Sequence, residues 1–293
     1  MFKRILMPVD FSERSKAVFP LARLLADAFE SEVELLHVVE EMPYSPPFWV
    51  GEVPAIGELR RQALSTSESS IAALKGQLKV SPKVNVTTTV SVGPVPSSII
   101  EHAKTEKSEL IIAATQGRTG LAHMLLGSVC ERVLRHAPCP VLVTPSEGSS
   151  ESPQVSKLLV AVDLSPHSRR ALVLAAQLAQ KFGAEVEVFH CWAAPYFAAD
   201  VQLDAALFTK IRQATEKDVA QFVAGAQLPS DVKVKETVVS GIAPAAICER
   251  LEDDPPSMLV LGTHGRTGFK HVLMGSVAEA VVRRAACPSL VVP

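Results

Sequence analysis

The sequence predicts an α/β protein of two tandem domains, each a mostly parallel, doubly wound sheet with helices on both faces. Three observations carry this. The chain has 293 residues, which suits about two domains of roughly 100–200 residues. A long segment occurs twice. Short apolar runs alternate with amphipathic helical patterns through both copies, the pattern of a parallel sheet layered between helices.

The repeat is dense. GRTGLAHMLLGSVCERVLRHAPCPVLVTP, beginning at Gly117, aligns without a gap on GRTGFKHVLMGSVAEAVVRRAACPSLVVP, beginning at Gly265; 18 of 29 positions are identical. The offset is 265 − 117 = 148, and Gly93 and Gly241 share it. Upstream the offset is 153, shown by Asp10 with Asp163 and His37 with His190. The first copy therefore carries 153 − 148 = 5 extra residues between roughly 40 and 80. The stretch PSEGSSESPQVS is rich in Ser, Pro and Gly and reads as a linker. These boundaries give a first domain over 1–145, a linker over 146–156 and a second domain over 157–293.

The elements follow in order. Lys3–Val9 is an apolar strand ending in Pro-Val-Asp. Ser12 and Glu13 open a helix whose apolar positions, Ala17, Leu21, Leu24, Leu25 and Ala28, recur at three and four. Val33–Val39 is a strand, and a Pro-rich loop leads to a helix over 57–79. Val84–Val92 is a β-branched strand, Ile99–Lys104 a helix and Leu110–Ala114 a buried strand. Ser128–Arg135 is a helix and Pro140–Val143 the last strand. The second copy predicts strands at 158–162, 186–190, 232–239, 258–261 and 289–292, with helices at 171–182, 203–225, 244–251 and 276–284.

Composition narrows the function classes. Apolar residues make up 47% and the net charge is −2, so neither nucleic acid nor an anionic membrane finds a basic footprint. No apolar run reaches the roughly 18–20 residues of a membrane helix. The apolar stretch in MFKRILMPVD is too short for a secretory signal. Five widely spaced cysteines without a CxxC argue against a disulfide scaffold or a zinc site. A reduced, cytoplasmic protein is the expectation.

In a doubly wound sheet, ligands sit outside the carboxyl ends of the strands near a topological switch point. After the fourth strand the second copy reads LGTHGRTGFKHVLMGSV, giving Gly262-x2-Gly265-x9-Gly275-Ser276. Gly275-Ser276 lies where a helix begins, and Ser276 is a candidate cap. Free N–H groups and the positive end of the helix dipole then face an anion, for which a phosphate chain is the natural ligand. Neither a Walker A loop nor a GxGxxG fingerprint is present.

These residues resemble the universal stress proteins, of the tandem two-domain kind. The G-x2-G-x9-G-[ST] loop and the aspartate after the first strand look like that family's ATP-binding motif. The resemblance spans nearly the whole chain, twice. It implies a five-stranded parallel sheet of order 3-2-1-4-5 in each domain, and an intramolecular pseudo-dimer paired through the last strands. It implies adenine-nucleotide binding, ATP with Mg²⁺, in a stress-response regulator. Asp163 would hold the adenine or ribose end, Cys191 would contact adenine through its backbone, and Leu261 and Gly262 would flank the nucleotide. Gly265 would approach the ribose or phosphates, which Gly275, Ser276 and Val277 would bind. The matching places in the first copy are Asp10, Val38, Ala113, Ala114, Gly117, Gly127, Ser128 and Val129. Ala114 stands where the motif has its first glycine, which sets the two copies apart. Arg118 and Arg266 are candidate phosphate donors.

Other residues carry less. His37, His190, His123 and His271 read as structural or loop histidines, and Cys139 and Cys287 as buried thiols. Residues 42–56, with Tyr44, Phe48 and Trp49, read as a loop folded over the site or onto the other domain, or as a partner surface. Two competing functions remain: a nucleotide-independent interaction module and a slow ATPase. A protein partner and a homodimer are compatible with each.

Overall fold

The computed structural model describes residues 1–40, 54–117, 126–145, 153–193, 205–263 and 274–293. The chain divides into two compact units, Met1–Pro153 and Gln154–Pro293.

The first unit runs β1 (Arg4–Pro8), α1 (Glu13–Lys16), α2 (Phe19–Phe29), β2 (Glu32–Val39), α3 (Pro54–Gln77), β3 (Val86–Val92), α4 (Val95–Thr105), β4 (Leu110–Ala114), α5 (Ser128–His136) and β5 (Val141–Thr144). Its strands lie in the order β3-β2-β1-β4-β5. Every pairing is parallel, with Ile5 opposite Val33 and Leu110, Val33 opposite Val86, and Ile112 opposite Leu142. The second unit repeats this with β6 (Lys157–Val162), α6 (Pro166–Phe182), β7 (Glu185–Trp192), α7 (Ala205–Ala224), β8 (Val234–Ser240), α8 (Ala243–Asp253), β9 (Met258–Gly262), α9 (Ser276–Arg284) and β10 (Ser289–Val292). Its order is β8-β7-β6-β9-β10, again parallel throughout.

The central strands are apolar because helices cover both faces. Leu6, Met7, Leu110, Ile111 and Ile112 are fully buried in the first unit, and Leu158, Val160, Leu259 and Val260 in the second. Burial of this kind contributes about 1.5–3 kcal/mol per large side chain. No helix among the described residues is long and apolar enough to cross a membrane.

The helix expected to run unbroken from Glu13 is two helices. Ser12 caps α1 by accepting from Ser15 N at 3.1 Å, but the helix stops at Lys16. Pro20 has no N–H for the Lys16 carbonyl, and its ring crowds that carbonyl, so the chain turns at Ala17–Val18 and restarts as α2. The second copy has Val173 in that place, and α6 runs through. Conversely, α4 and α6 begin earlier than expected, at Val95 and Pro166. Pro96 and Pro166 stand in their first turns, where a missing N–H costs nothing.

Helix ends differ between the copies. Gly183 closes α6 in a left-handed conformation, φ 68°, without steric cost. Its counterpart after α2 is Glu30, which adopts φ 50° with a full side chain.

Each unit also holds a carboxylate in its sheet. Glu187 on β7 is 2% exposed. Arg250 on α8 donates to both its oxygens, Nε at 3.0 Å and Nη2 at 2.5 Å, and Thr237 Oγ1 donates at 2.8 Å. Lys157 Nζ adds an ion pair at 3.3 Å. Burial pushes the Glu187 carboxyl up, but the hydrogen bonds from Arg250, Thr237 and Lys157 outweigh it and hold the group below its ordinary value. Lys157 and Arg250 together hold the exposed Asp254 down to about 2. In the first unit the same place is Glu34, which accepts from Thr89 Oγ1 at 2.6 Å and lies 2.9 Å from His102 Nε2.

Candidate functional site

The carboxyl ends of β1, β2 and β4 open into a cleft of about 930 Å³ in the first unit. That is within the roughly 300–1,000 Å³ of small-molecule sites. Strand order reverses here, since β2 lies on one side of β1 and β4 on the other.

The turn after β1 supplies the acidic group. Asp10 Oδ1 accepts from Ser12 N at 3.0 Å and from Ser12 Oγ at 2.6 Å. This closes an Asx turn. Phe11 sits inside it at φ 63°, a left-handed conformation for a non-glycine residue. The second unit repeats the device: Asp163 Oδ1 accepts from Ser165 N at 3.1 Å, and Leu164 has φ 66°. The other Asp10 oxygen faces Gly117. A Cβ added at Gly117 would stand 2.5 Å from Oδ2, so only glycine leaves that carboxylate its place.

The strand ends are tied beneath the cleft. Val9 N donates to Leu36 O at 2.9 Å. His37 Nδ1 lies 2.8 Å from Val9 O, and His190 Nδ1 lies 2.8 Å from Val162 O. A carbonyl only accepts, so Nδ1 carries the proton in each ring. The ring of Phe11 packs on His37 at 4.1 Å between centroids. Both histidines are buried, which makes them structural locks for the strand-end turn.

Across the cleft, α5 begins at Gly127. Gly127 N donates to Thr115 O at 2.8 Å, and the first intrahelical bond runs from Glu131 N to Gly127 O at 2.9 Å. The N–H groups of Ser128, Val129 and Cys130 precede that bond. The second unit matches: Gly275 N donates to Thr263 O at 2.6 Å, and Glu279 N to Gly275 O at 3.0 Å. Val129 and Val277 are exposed at 36% and 37%, so the first turn of each helix meets solvent.

One expectation is corrected here. Ser276, and Ser128 with it, does not cap its helix. The cap positions are Gly275 and Gly127, with no side-chain cap bond. The glycine N–H is already engaged by the preceding loop, and a Cβ on Gly127 would meet Thr115 O at 3.2 Å. Each serine is the first helical residue.

Ala114 closes β4, opposite Thr144, without positive φ. Its methyl group therefore costs the backbone nothing. Gly262 has a different reason to be glycine. A Cβ there would meet the backbone of His167 and Ser168 at 3.2–3.3 Å, because the first turn of α6 lies close on β9.

The remaining predicted residues divide between the units. Val38 and Ala113 line the first cleft with Asp10, Gly117, Gly127, Ser128 and Val129. In the second unit Leu261 is buried, and Cys191 is half-buried with its thiol pushed up by burial. Arg118, Gly265, Arg266, the histidines His123 and His271, and residues 42–53 lie outside the described residues. All five cysteines are free thiols; burial pushes Cys130 and Cys139 up to about 12 and Cys287 to about 11, so none is a ready thiolate. Among the described residues no group of three or more His, Cys, Asp or Glu side chains could hold a metal ion. The charged carboxylates lining the described cleft are Asp10 and Glu40, and no Lys or Arg joins them there. Among the described residues of this cleft, the backbone N–H groups at the start of α5 are positioned to meet an anion.

The sequence model of the Universal stress protein family matches residues 1–145 and again 154–293. The chain belongs to the universal stress protein family. It is 29% identical over 252 residues to a universal stress protein of Mycobacterium tuberculosis, covering 85% of this chain and 81% of the relative. A universal stress protein of Methanocaldococcus jannaschii is 36% identical over 145 residues, 49% of this chain and 82% of its own length. Among solved structures, a universal stress protein from Archaeoglobus fulgidus covers 99% of this chain and 95% of its own, with TM-score 0.64 and 22% identity. A further one from Pseudomonas aeruginosa gives TM-score 0.66 at 21% identity, covering 99% of this chain and 93% of its own. At that identity the likeness shows the fold. This universal stress protein thus carries the family's domain twice, each with the same aspartate turn and glycine-capped helix.

Proposed function

We propose that this universal stress protein binds an adenine nucleotide, ATP with Mg²⁺, at the strand carboxyl ends of its units and acts as a stress-response regulator. The observation that carries the reading is the facing pair in the first cleft. A carboxylate held in a fixed turn, Asp10, lines the same cleft as Gly117 and a helix N-terminus whose first N–H groups are uncommitted to the helix. A carboxylate is the natural acceptor for a sugar hydroxyl, and the helix start is the natural seat for a phosphate. The gap between them calls for a ligand with a neutral hydroxylated part and an anionic part, which describes a nucleotide.

Mg²⁺ would accompany the phosphates, which the N–H groups at the start of α5 would hold. When bound, it supplies charge neutralisation. Asp163, Gly275, Ser276 and Val277 form the corresponding set in the second unit. The bound state fixes the strand-end loops, and a cytoplasmic partner protein reads that state. The test is the nucleotide content of freshly purified protein, followed by calorimetric titration with Mg-ATP. One or two adenine nucleotides per chain are expected. No released nucleotide and no heat on titration would overturn the reading.

A further inference from the structure

One face of the first cleft comes from α3, where a stripe of uncharged polar side chains runs beside Leu59 and Ala63. The second half of that helix is anchored by Ile71 and Leu74, 2% and 3% exposed, with Leu78 just past its end 1% exposed. In the residues before Ile71 the helix lines the cleft with Gln62, Thr66 and Ser70, at i, i+4 and i+8. These three share one face. Ser67, beside them, is buried at 9%, at the place where the inward stripe would otherwise carry an apolar side chain. The opposite wall is apolar, with Val38, Val39, Val95 and Ile99. A slot with one greasy wall and one hydrogen-bonding wall suits a flat ring with a polar edge.

The strand order says which part of a nucleotide arrives there. Along the sheet, α5 follows β4, Asp10 ends β1, and α3 follows β2. A ligand with phosphates at α5 and its sugar at Asp10 continues toward β2 and α3. The part that meets α3 is the part farthest from the phosphates, the base.

The second unit carries different residues at the corresponding helix positions. Residues 57–117 align without a gap on 205–265 at the offset of 148. The structure supports that register: Val219 and Phe222 are buried like Ile71 and Leu74, and Lys79 and Gln227 both have φ 51°. Gln62, Thr66 and Ser70 thus correspond to Lys210, Ala214 and Asp218 on α7. The first unit has two hydroxyls and an amide where the second has a methyl group, a carboxylate and a cation.

We infer that the α3 stripe of Gln62, Thr66 and Ser70 reads the hydrogen-bonding edge of the base in the first cleft, so that the two units of one chain differ in base preference. This rests on the nucleotide reading above. Hydroxyl and amide groups each donate and accept, which lets three side chains match one pattern of base donors and acceptors and leave polar groups unpaired against another.

The experiment titrates the full chain with Mg-ATP and Mg-GTP by calorimetry, in the wild type, in the Thr66→Val/Ser70→Ala double variant and in Gln62→Leu. Each neutral hydrogen bond is worth roughly three- to tenfold in affinity. The double variant should shift the ATP-to-GTP preference of one site by about tenfold or more, while the other site and the melting temperature stay as in the wild type. Gln62 is exposed, so Gln62→Leu leaves the fold intact and should shift the same site by a smaller factor. Nucleotide binding with unchanged base preference in all variants overturns the α3 assignment and leaves the nucleotide reading standing. No nucleotide binding by the wild-type chain overturns both.

Discussion

Substituting Gly117→Ala tests the facing arrangement of Asp10 and Gly117 directly. The new Cβ would stand 2.5 Å from Asp10 Oδ2, and real contacts of this kind do not fall below about 3.0 Å. The carboxylate or the loop must therefore give by at least about half an ångström. Asp10 has little slack, because Oδ1 is held by Ser12 N at 3.0 Å and Ser12 Oγ at 2.6 Å. Hydrogen bonds to a charged group are worth about 1.5–3 kcal/mol when intact. Weakening them also lets Phe11 leave its left-handed conformation, which returns about 1–2 kcal/mol. The two effects largely cancel, leaving a destabilisation of about 1 kcal/mol and a melting temperature lower by about 2–4 °C for a unit of this size. Ligand affinity has no such compensation. If Asp10 Oδ2 accepts from the ligand, displacing it costs about 1.5–3 kcal/mol, which is roughly tenfold to over a hundredfold in Kd at the first site. Calorimetry with Mg-ATP should show one site weakened and the other unchanged. The control is the same substitution in an Asp10→Ala background, where it should cost nothing further, because the residues couple only through the clash. Gly117→Ala with wild-type affinity and melting temperature, or the same loss with and without Asp10, would refute the reasoning.

Other perturbations probe the frame around the site. Arg250→Ala leaves Glu187 buried without its main partner and should destabilise the second unit by about 3–5 kcal/mol by denaturant titration. The depressed pKa of Glu187 means its stabilisation is complete above the unfolded carboxyl range of about 4.5 and is lost as pH falls through the lower folded value. Thermal melts should therefore fall on acidification below about pH 4.5, less steeply in Glu187→Gln. Glu30→Gly removes a side chain from φ 50°, and should raise stability by about 0.5–1 kcal/mol after the extra chain entropy of glycine is counted. Ala114→Gly should leave nucleotide affinity unchanged and lower stability by about 0.5–1 kcal/mol, whereas Gly262→Ala should cost more, since the backbone of α6 must move; equal effects would refute the packing explanation of Gly262.

The parts of the fold that sequence reveals are those written in local pattern. Leu110–Ala114 and Met258–Leu261 are apolar because helices bury both faces, and the Gly-Ser pairs mark helix starts that the structure places at Ser128 and Ser276. The break after Lys16 was visible as Pro20, but the apolar period of Leu21, Leu24 and Leu25 runs through it and masks the interruption. What joins distant residues was not legible. Asp10 and Gly117 are 117 − 10 = 107 residues apart, and no spacing within either motif says that one leaves room for the other. Glu187 stands in EVEVFHCW as an alternating polar position, which reads as solvent-facing. Its guanidinium partner lies 63 residues on, and only the α8 packing brings it there. The strand-end histidines gave no sign of a partner, because that partner is a backbone carbonyl.

The duplication makes each unit a control for the other. Where only packing is at stake, the copies have drifted: Glu30 stands for Gly183, His102 for Arg250, Ala114 for Gly262. In the turn after the first strand they agree even where agreement is costly. Phe11 and Leu164 share φ 63° and 66° although one is aromatic and the other aliphatic, so the side chain does not choose that conformation. The Asp–Ser turn imposes it, at about 1–2 kcal/mol per residue. Each turn also supplies the serine that caps the next helix, but Ser12 and Ser165 accept from Ser15 N and Ser168 N through their own hydroxyls, and that role does not require the preceding aspartate. The strain thus has no return in helix capping alone. What it does achieve is to fix a carboxylate on the end of the first strand of each unit, on the side of the sheet where a glycine-started helix presents its N–H groups. The same strained turn and the same helix-start N–H donors recur in both units, and the proposed site for a hydroxylated anion rests on that pairing.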